Sequence, residues 1–140
     1  MRRETKALLK DILRDYPQLE KRIKQRREEI MHPTFDRDDN IGGGRSNVPS
    51  NYLERRIIKM NDDEELQTLI KEKQLIDLCL DESDEETQTI IKEVYMGRTP
   101  QYSLSGLIAA GKIYCSQTRA YKLRDDFFND LAGKMRIKYM

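Results

Sequence analysis

Apolar residues recur along this chain at helical spacing, and the runs are broken at a few sharply marked points. Leu8, Leu9, Ile12 and Leu13 share one stripe and predict a helix over residues 4–14. Pro17 disfavours helical geometry at Tyr16, so a break is expected there. Asp15 offers a cap, and Pro17 suits the first turn, of a second helix that runs to about Met31 with Leu19, Ile23 and Ile30 inward. Leu9, Ile12, Tyr16, Leu19, Ile23 and Ile30 also keep a heptad-like spacing, interrupted by Arg26. The break at Pro17 favours a short helical hairpin over one long coiled coil.

Residues 32–51 read "HPTFDRDDNIGGGRSNVPSN". Two prolines, three glycines and many turn formers exclude a helix here and predict an irregular linker, a kind of segment that in so short a chain is usually functional or mobile. Helix resumes near Tyr52. Asn61-Asp62-Asp63-Glu64 has the form of a capping box with Asn61 as N-cap and Glu64 at N3, which divides the segment into helices at 52–60 and 62–80. Leu66, Leu69, Ile70, Ile76 and Leu80 form the apolar stripe of the second. Ser83-Asp84-Glu85-Glu86 repeats the signal and starts a helix over 84–96 with Ile90, Ile91 and Val94 inward; Gly97 ends it and Pro100 prevents its resumption.

The last segment carries the most information. Ser103 caps a short helix through Ala110 bearing Leu104, Leu107 and Ile108. Gly111 stops that helix, "KIYC" turns the chain, and Ser116 caps a long helix whose buried face is Ala120, Leu123, Phe127 and Leu131. The expected fold class is therefore all-α: an N-terminal helical hairpin, a Gly-rich loop, middle helices and a C-terminal helix-turn-helix. Residues 1–82 form a helical body that contains the loop and is suited to dimerisation, and residues 83–140 form the helix-turn-helix domain.

Composition agrees with helices that have wide solvated faces. Of 140 residues, 37% are apolar and 36% charged, lean for a compact globule. No apolar run approaches the roughly 18 to 20 residues that span a bilayer, and the N-terminal stretch mixes acids with bases and lacks a signal-sequence core, so a soluble cytoplasmic protein with no membrane partner is expected. Cys79, Cys115 and His32 are too few and too scattered for a disulfide framework or a zinc site. The acids of 62–65 and 81–86 lack EF-hand spacing and suit helix N-termini instead. No metal, cofactor or catalytic residue is expected, and the chain is not read as an enzyme.

Charge is segregated. Residues 62–86 hold eleven acids against Lys71 and Lys73, while residues 98–140 hold eight bases against Asp125, Asp126 and Asp130. A basic end that meets a polyanion is the expectation. A short helix, a glycine-containing turn and a longer helix make a helix-turn-helix, whose second helix enters the DNA major groove by its N-terminal outer face. With Ala120, Leu123 and Phe127 inward, Gln117, Thr118, Arg119, Tyr121, Lys122 and Arg124 occupy the exposed first turns. Arg can bond guanine O6 and N7, Gln adenine N6 and N7, and Thr can touch a thymine methyl. Lys122, Arg124, Lys112 in the turn, and Ser116 with the helix N-terminus are placed for phosphates.

The motifs "EVYMGR" and "GKIYCSQTRAYKLR" (Gly111 to Arg124) resemble the promoter-reading C-terminal region of a sigma factor. With "NIGGGRSN" (Asn40 to Asn47) added, nearly the whole chain resembles the RinA/ArpU-like transcriptional regulators of phages and prophages of Gram-positive bacteria. That resemblance implies an activator of late genes that binds promoter double-stranded DNA inside the bacterial host cell and cooperates with host RNA polymerase. Alternatives are a phage small terminase-like DNA-binding subunit and a helical protein–protein adaptor. A P-loop enzyme is excluded, because "IGGGRSN" has no Lys, no preceding strand and the wrong spacing. The glycine stretch itself has two readings. It is a plain linker, or Gly42, Gly43 and Gly44 let the backbone approach closely while Arg45 and Ser46 bind a phosphate or a partner's carboxylate.

Overall fold

The computed structural model describes residues 1–32 and 51–137. Among them there are α-helices and no strands, so the fold is all-α. The helices are α1 (Arg3–Met31), α2 (Tyr52–Asp62), α3 (Glu64–Glu82), α4 (Glu85–Ile90), which passes into a π-helical turn at Ile91–Tyr95, α5 (Leu104–Ala109) and α6 (Gln117–Lys134). The chain divides into two compact units, Met1–Gln18 with Glu72–Met140, and Leu19–Lys71. These part at residues 18/19 and 71/72, so 1–18 and 72–82 group with residues 83–140. Gly42, Gly43, Gly44, Arg45 and Ser46 lie outside the described residues.

The expected N-terminal hairpin is not formed: α1 continues through Pro17 as one helix. Proline inside a helix removes one hydrogen bond and crowds the preceding turn, at a cost of about 3 kcal/mol. Against this stand Leu9, Leu13, Leu19 and Ile23, all buried at helical spacing on either side. Each such burial is worth about 1.5–3 kcal/mol, so together they exceed the cost of the proline. Pro17 itself is exposed, where its ring displaces no packing.

In the unit of residues 19–71, the α2–α3 junction is set by Asp63 rather than Asn61. Asp63 leaves the helical region (φ −73°, ψ 113°) and its Oδ2 accepts from the Leu66 N–H at 2.8 Å. Its carboxylate also receives Arg26 Nη2 at 2.7 Å and Nε at 3.0 Å, a two-point guanidinium grip that ties the junction to α1. Glu29 and Glu65 complete the surroundings of Arg26, at 3.0 and 3.5 Å. The Arg26 hydrogen bonds, followed by that from Leu66, hold the Asp63 carboxyl below the usual carboxylate range. α2 buries none of its residues and leaves Leu53, Ile57 and Ile58 exposed.

The unit of residues 1–18 and 72–140 is centred on Leu9, Leu13, Ile76, Cys79, Ile90, Ile91, Leu107, Phe128 and Leu131, all fully buried. Tyr16 donates its hydroxyl proton to Asp77, which also receives Lys73 at 2.8 Å. Burial pushes the Cys79 thiol up to about 12, so it packs as a small apolar group. α6 ends in a paired-bond stop, with Arg136 N–H donating to the Gly133 carbonyl and Ile137 N–H to that of Ala132. The left-handed residue of that stop is Arg136, at φ +56°.

Asp63→Ala should lower the melting temperature, with Asp63→Asn intermediate because its amide oxygen can still cap. Since the folded Asp63 carboxyl is held low, its contribution is present at neutral pH and is lost as pH falls through the carboxylate range; the variants should show a weaker acid dependence in thermal melts followed by circular dichroism. Arg136→Gly should raise stability by about 0.5–1 kcal/mol in urea titrations, because glycine adopts the left-handed region without the Cβ clash.

Candidate nucleic-acid interface

A small apolar cluster holds α5, the turn after it and α6 together. Ile90 from α4, Leu104 and Leu107 from α5, Ile113 from the turn and Ala120 from α6 are buried together, fringed by Val94, Tyr95, Tyr102, Ile108, Cys115 and Leu123. Polar signals in the sequence mark the two helix ends at this cluster. Ser103 Oγ accepts from the Gly106 N–H at 3.0 Å and starts α5. α5 stops with Gly111 N–H donating to the Ile108 carbonyl and Lys112 N–H to that of Leu107, at 3.0 and 3.1 Å. This paired-bond stop needs a left-handed residue, and Gly111 supplies it at φ +73°. Ser116 Oγ then accepts from the Arg119 N–H at 3.1 Å and starts α6.

Between these caps the turn residues alternate sharply. Ile113 is 3% exposed, Tyr114 is 89% exposed, and Cys115 is half-buried. Burial, followed by the hydrogen bond to and charge of the neighbouring Glu86 carboxylate, pushes the Cys115 thiol up, which favours its uncharged form. Asp84 caps α4 by accepting from the Thr87 N–H at 2.8 Å, and Thr87 holds its carboxyl low, with a smaller contribution from the charge of Arg119.

Most of the residues expected at the surface are there. Lys112, Ser116, Gln117, Thr118, Arg119, Tyr121 and Lys122 are exposed, and all but Lys112 and Ser116 project from the first two turns of α6. Gln117 Nε2 donates to Ser105 Oγ at 2.9 Å, and Lys122 pairs with Asp126 at 3.1 Å. Arg119 and Lys112 form no side-chain hydrogen bond or ion pair with the described residues.

Arg124 departs from the expectation. Its side chain is 12% exposed and turned into the protein, donating to the Tyr95 hydroxyl at 3.3 Å and to Asp125 at 2.8 Å. Its guanidinium lies 4.7 Å from the Tyr121 ring centroid and 5.9 Å from that of Phe128. Position 124 falls on the edge of the buried face of α6, so Arg124 fastens α6 to the π-helical turn and is not free for a phosphate. The sequence reading also missed Phe128 and Ala132, both fully buried. The Phe127-Phe128 pair was the available signal: two adjacent large rings widen the apolar face beyond a single i, i+3, i+7 line. Tyr95 meets Phe128 edge to face at 5.3 Å. Among the described residues no group of three or more His, Cys, Asp or Glu could hold a metal ion, and no helix is long and apolar enough to cross a membrane.

The chain belongs to the family described as protein of unknown function (DUF722), whose pattern matches residues 6–133. No curated protein and no solved structure matches it.

The turn geometry makes a direct prediction. Ser116→Ala should cost about 1 kcal/mol by removing the cap, and Ser116→Asp should retain most of it. Gly111→Ala should cost about 1–2 kcal/mol through its left-handed backbone. Urea unfolding of each variant measures both effects.

Proposed function

We propose that this member of a family of unknown function is a sequence-specific regulator that binds double-stranded promoter DNA through α5, the turn and α6, and is not an enzyme. The observation that carries this reading is the exposed N-terminal face of α6, where Gln117, Thr118, Arg119 and Lys122 stand just past a capped turn bearing Lys112. Arg119, with no ion pair to break among the described residues, is the first candidate for guanine O6 and N7; Gln117 suits adenine, and Thr118 a thymine methyl. Lys112 and the α6 N-terminus with Ser116 suit phosphates. Asp125 and Asp126 on the following turn disfavour phosphate at that turn, which confines the base contacts to the first two turns of the helix.

The resemblance to RinA/ArpU-like regulators supports the finer reading, an activator of phage or prophage late genes that works with host RNA polymerase. The uncovered Leu53, Ile57 and Ile58 of α2 suit self-association as a homodimer. A terminase-like subunit would use the same two features but assemble into rings, so sedimentation separates the two: a discrete dimer supports the regulator, a ring the alternative.

Replacing Arg119 and Lys122 together by Ala should weaken binding to the preferred duplex at least tenfold in gel-shift titrations, about 1–3 kcal/mol per lost base contact, with helicity unchanged. Unchanged affinity would remove these residues from the interface.

A further inference from the structure

The same unit holds a second basic feature that the helix-turn-helix does not use. Lys6, Lys10 and Arg14 recur at i, i+4 and i+8 and so lie on one face of α1. Lys10, Arg14 and the acid Asp15 line a cleft of about 650 Å³ whose other wall is Val94, Tyr95, Gly97, Arg98 and Pro100. Three cations from two chain segments therefore converge on one opening.

The acids that face them hold them weakly. Arg14 lies 3.4 Å from Asp11, Arg98 lies 3.9 Å from Asp15, and Lys6 lies 3.8 Å from Asp125. Arg14 and Arg98 keep 55% and 68% of their side chains exposed. Exposed pairs of this kind contribute little, so exchanging a carboxylate for a phosphate is nearly neutral. Lys10 has no ion pair among the described residues.

Side-chain contacts link the cleft and its α1 row to α6. Its wall residue Tyr95 accepts from Arg124, and Arg124 stacks on Tyr121 at the surface of α6. The α1 row reaches α6 itself where Lys6 meets Asp125. A duplex held in its major groove by the first turns of α6 carries backbone on both sides of that groove, and a cationic cleft beside the helix is suited to one of those strands.

We propose that Lys10, Arg14 and Arg98 form a phosphodiester-binding cleft that clamps the backbone of the DNA read by α6. The assignment rests on the proposed binding of DNA by α6. These contacts are independent of sequence: they add affinity and salt dependence, while Arg119 and its neighbours select the bases.

The test is fluorescence anisotropy with the full chain, labelled duplexes of preferred and scrambled sequence, and a series of salt concentrations. Each phosphate contact contributes about 0.9 to the slope of log K against log salt. Lys10→Gln, Arg14→Gln and Arg98→Gln combined should lower that slope by about 2 to 3 on both duplexes and leave their affinity ratio unchanged. Arg98→Lys, which keeps the charge, should retain the wild-type slope. If the triple variant does not fold by circular dichroism, Lys10→Gln alone decides, with an expected loss of about 0.9. A slope equal to wild type in folded variants would overturn the cleft while leaving the helix-turn-helix reading intact, provided Arg119→Ala still reduces the affinity ratio. A wild-type chain that binds no duplex at low salt would overturn both.

Discussion

Burial of Ile113 and Ala120 against Ile90, Leu104 and Leu107 is the constraint on which the surface chemistry of this protein depends. Ile113 must enter the cluster from the turn, and Ala120 must enter it from α6. Those two anchors fix the rotation of α6 about its axis. Once Ala120 faces inward, Gln117, Thr118, Arg119 and Lys122 lie on the exposed side of the helix. A glycine at 111 permits the tight exit from α5, and serines at 103 and 116 satisfy the helix starts. The chemistry presented outward is thus a consequence of the packing beneath it.

α6 is anchored a second time, along its length. Phe127, Phe128, Leu131 and Ala132 are buried, Tyr95 packs edge to face on Phe128, and Arg124 spans Tyr95, Tyr121 and Asp125. The π-helical turn at Ile91–Tyr95 is where Tyr95 meets these groups. An additional residue in a helical turn rotates the residues C-terminal to it, and such turns concentrate at functional positions. Rigid support of this kind suits the groove contact proposed for α6, because a loosely held helix would lose base contacts while keeping the charge attraction.

The C-terminal half of this fold was legible in the sequence because its signals are local. Ser103, Gly111 and Ser116 each act on the backbone within three or four residues, and all three do what their residue types predict. Pro17 misled for the opposite reason. Its local preference is to break the helix, but Leu9, Leu13, Leu19 and Ile23 are buried through long-range packing that a residue-by-residue reading does not weigh. The capping signal at 61–64 was visible, yet Asp63 rather than Asn61 became the cap. Asp63 has Arg26 to neutralise it, thirty-seven residues away in sequence. Charge and a place in the first turns of α6 assign Arg124 to phosphate; its partner Tyr95, on another element, turns it inward. The basic cleft has no local signal in the sequence, because Lys10, Arg14 and Arg98 come together only when α1 packs beside the turn at 95–100.

The central claim is that the first two turns of α6 enter a DNA major groove. Duplexes selected from a random pool by the full chain, then probed by guanine N7 methylation interference, test it most directly. The account predicts a preferred sequence in which methylation at a few guanines, within about half a helical turn per bound helix, blocks binding, because N7 lies in the major groove. Selection that yields no preferred sequence, or a preferred site at which N7 methylation has no effect, would contradict it.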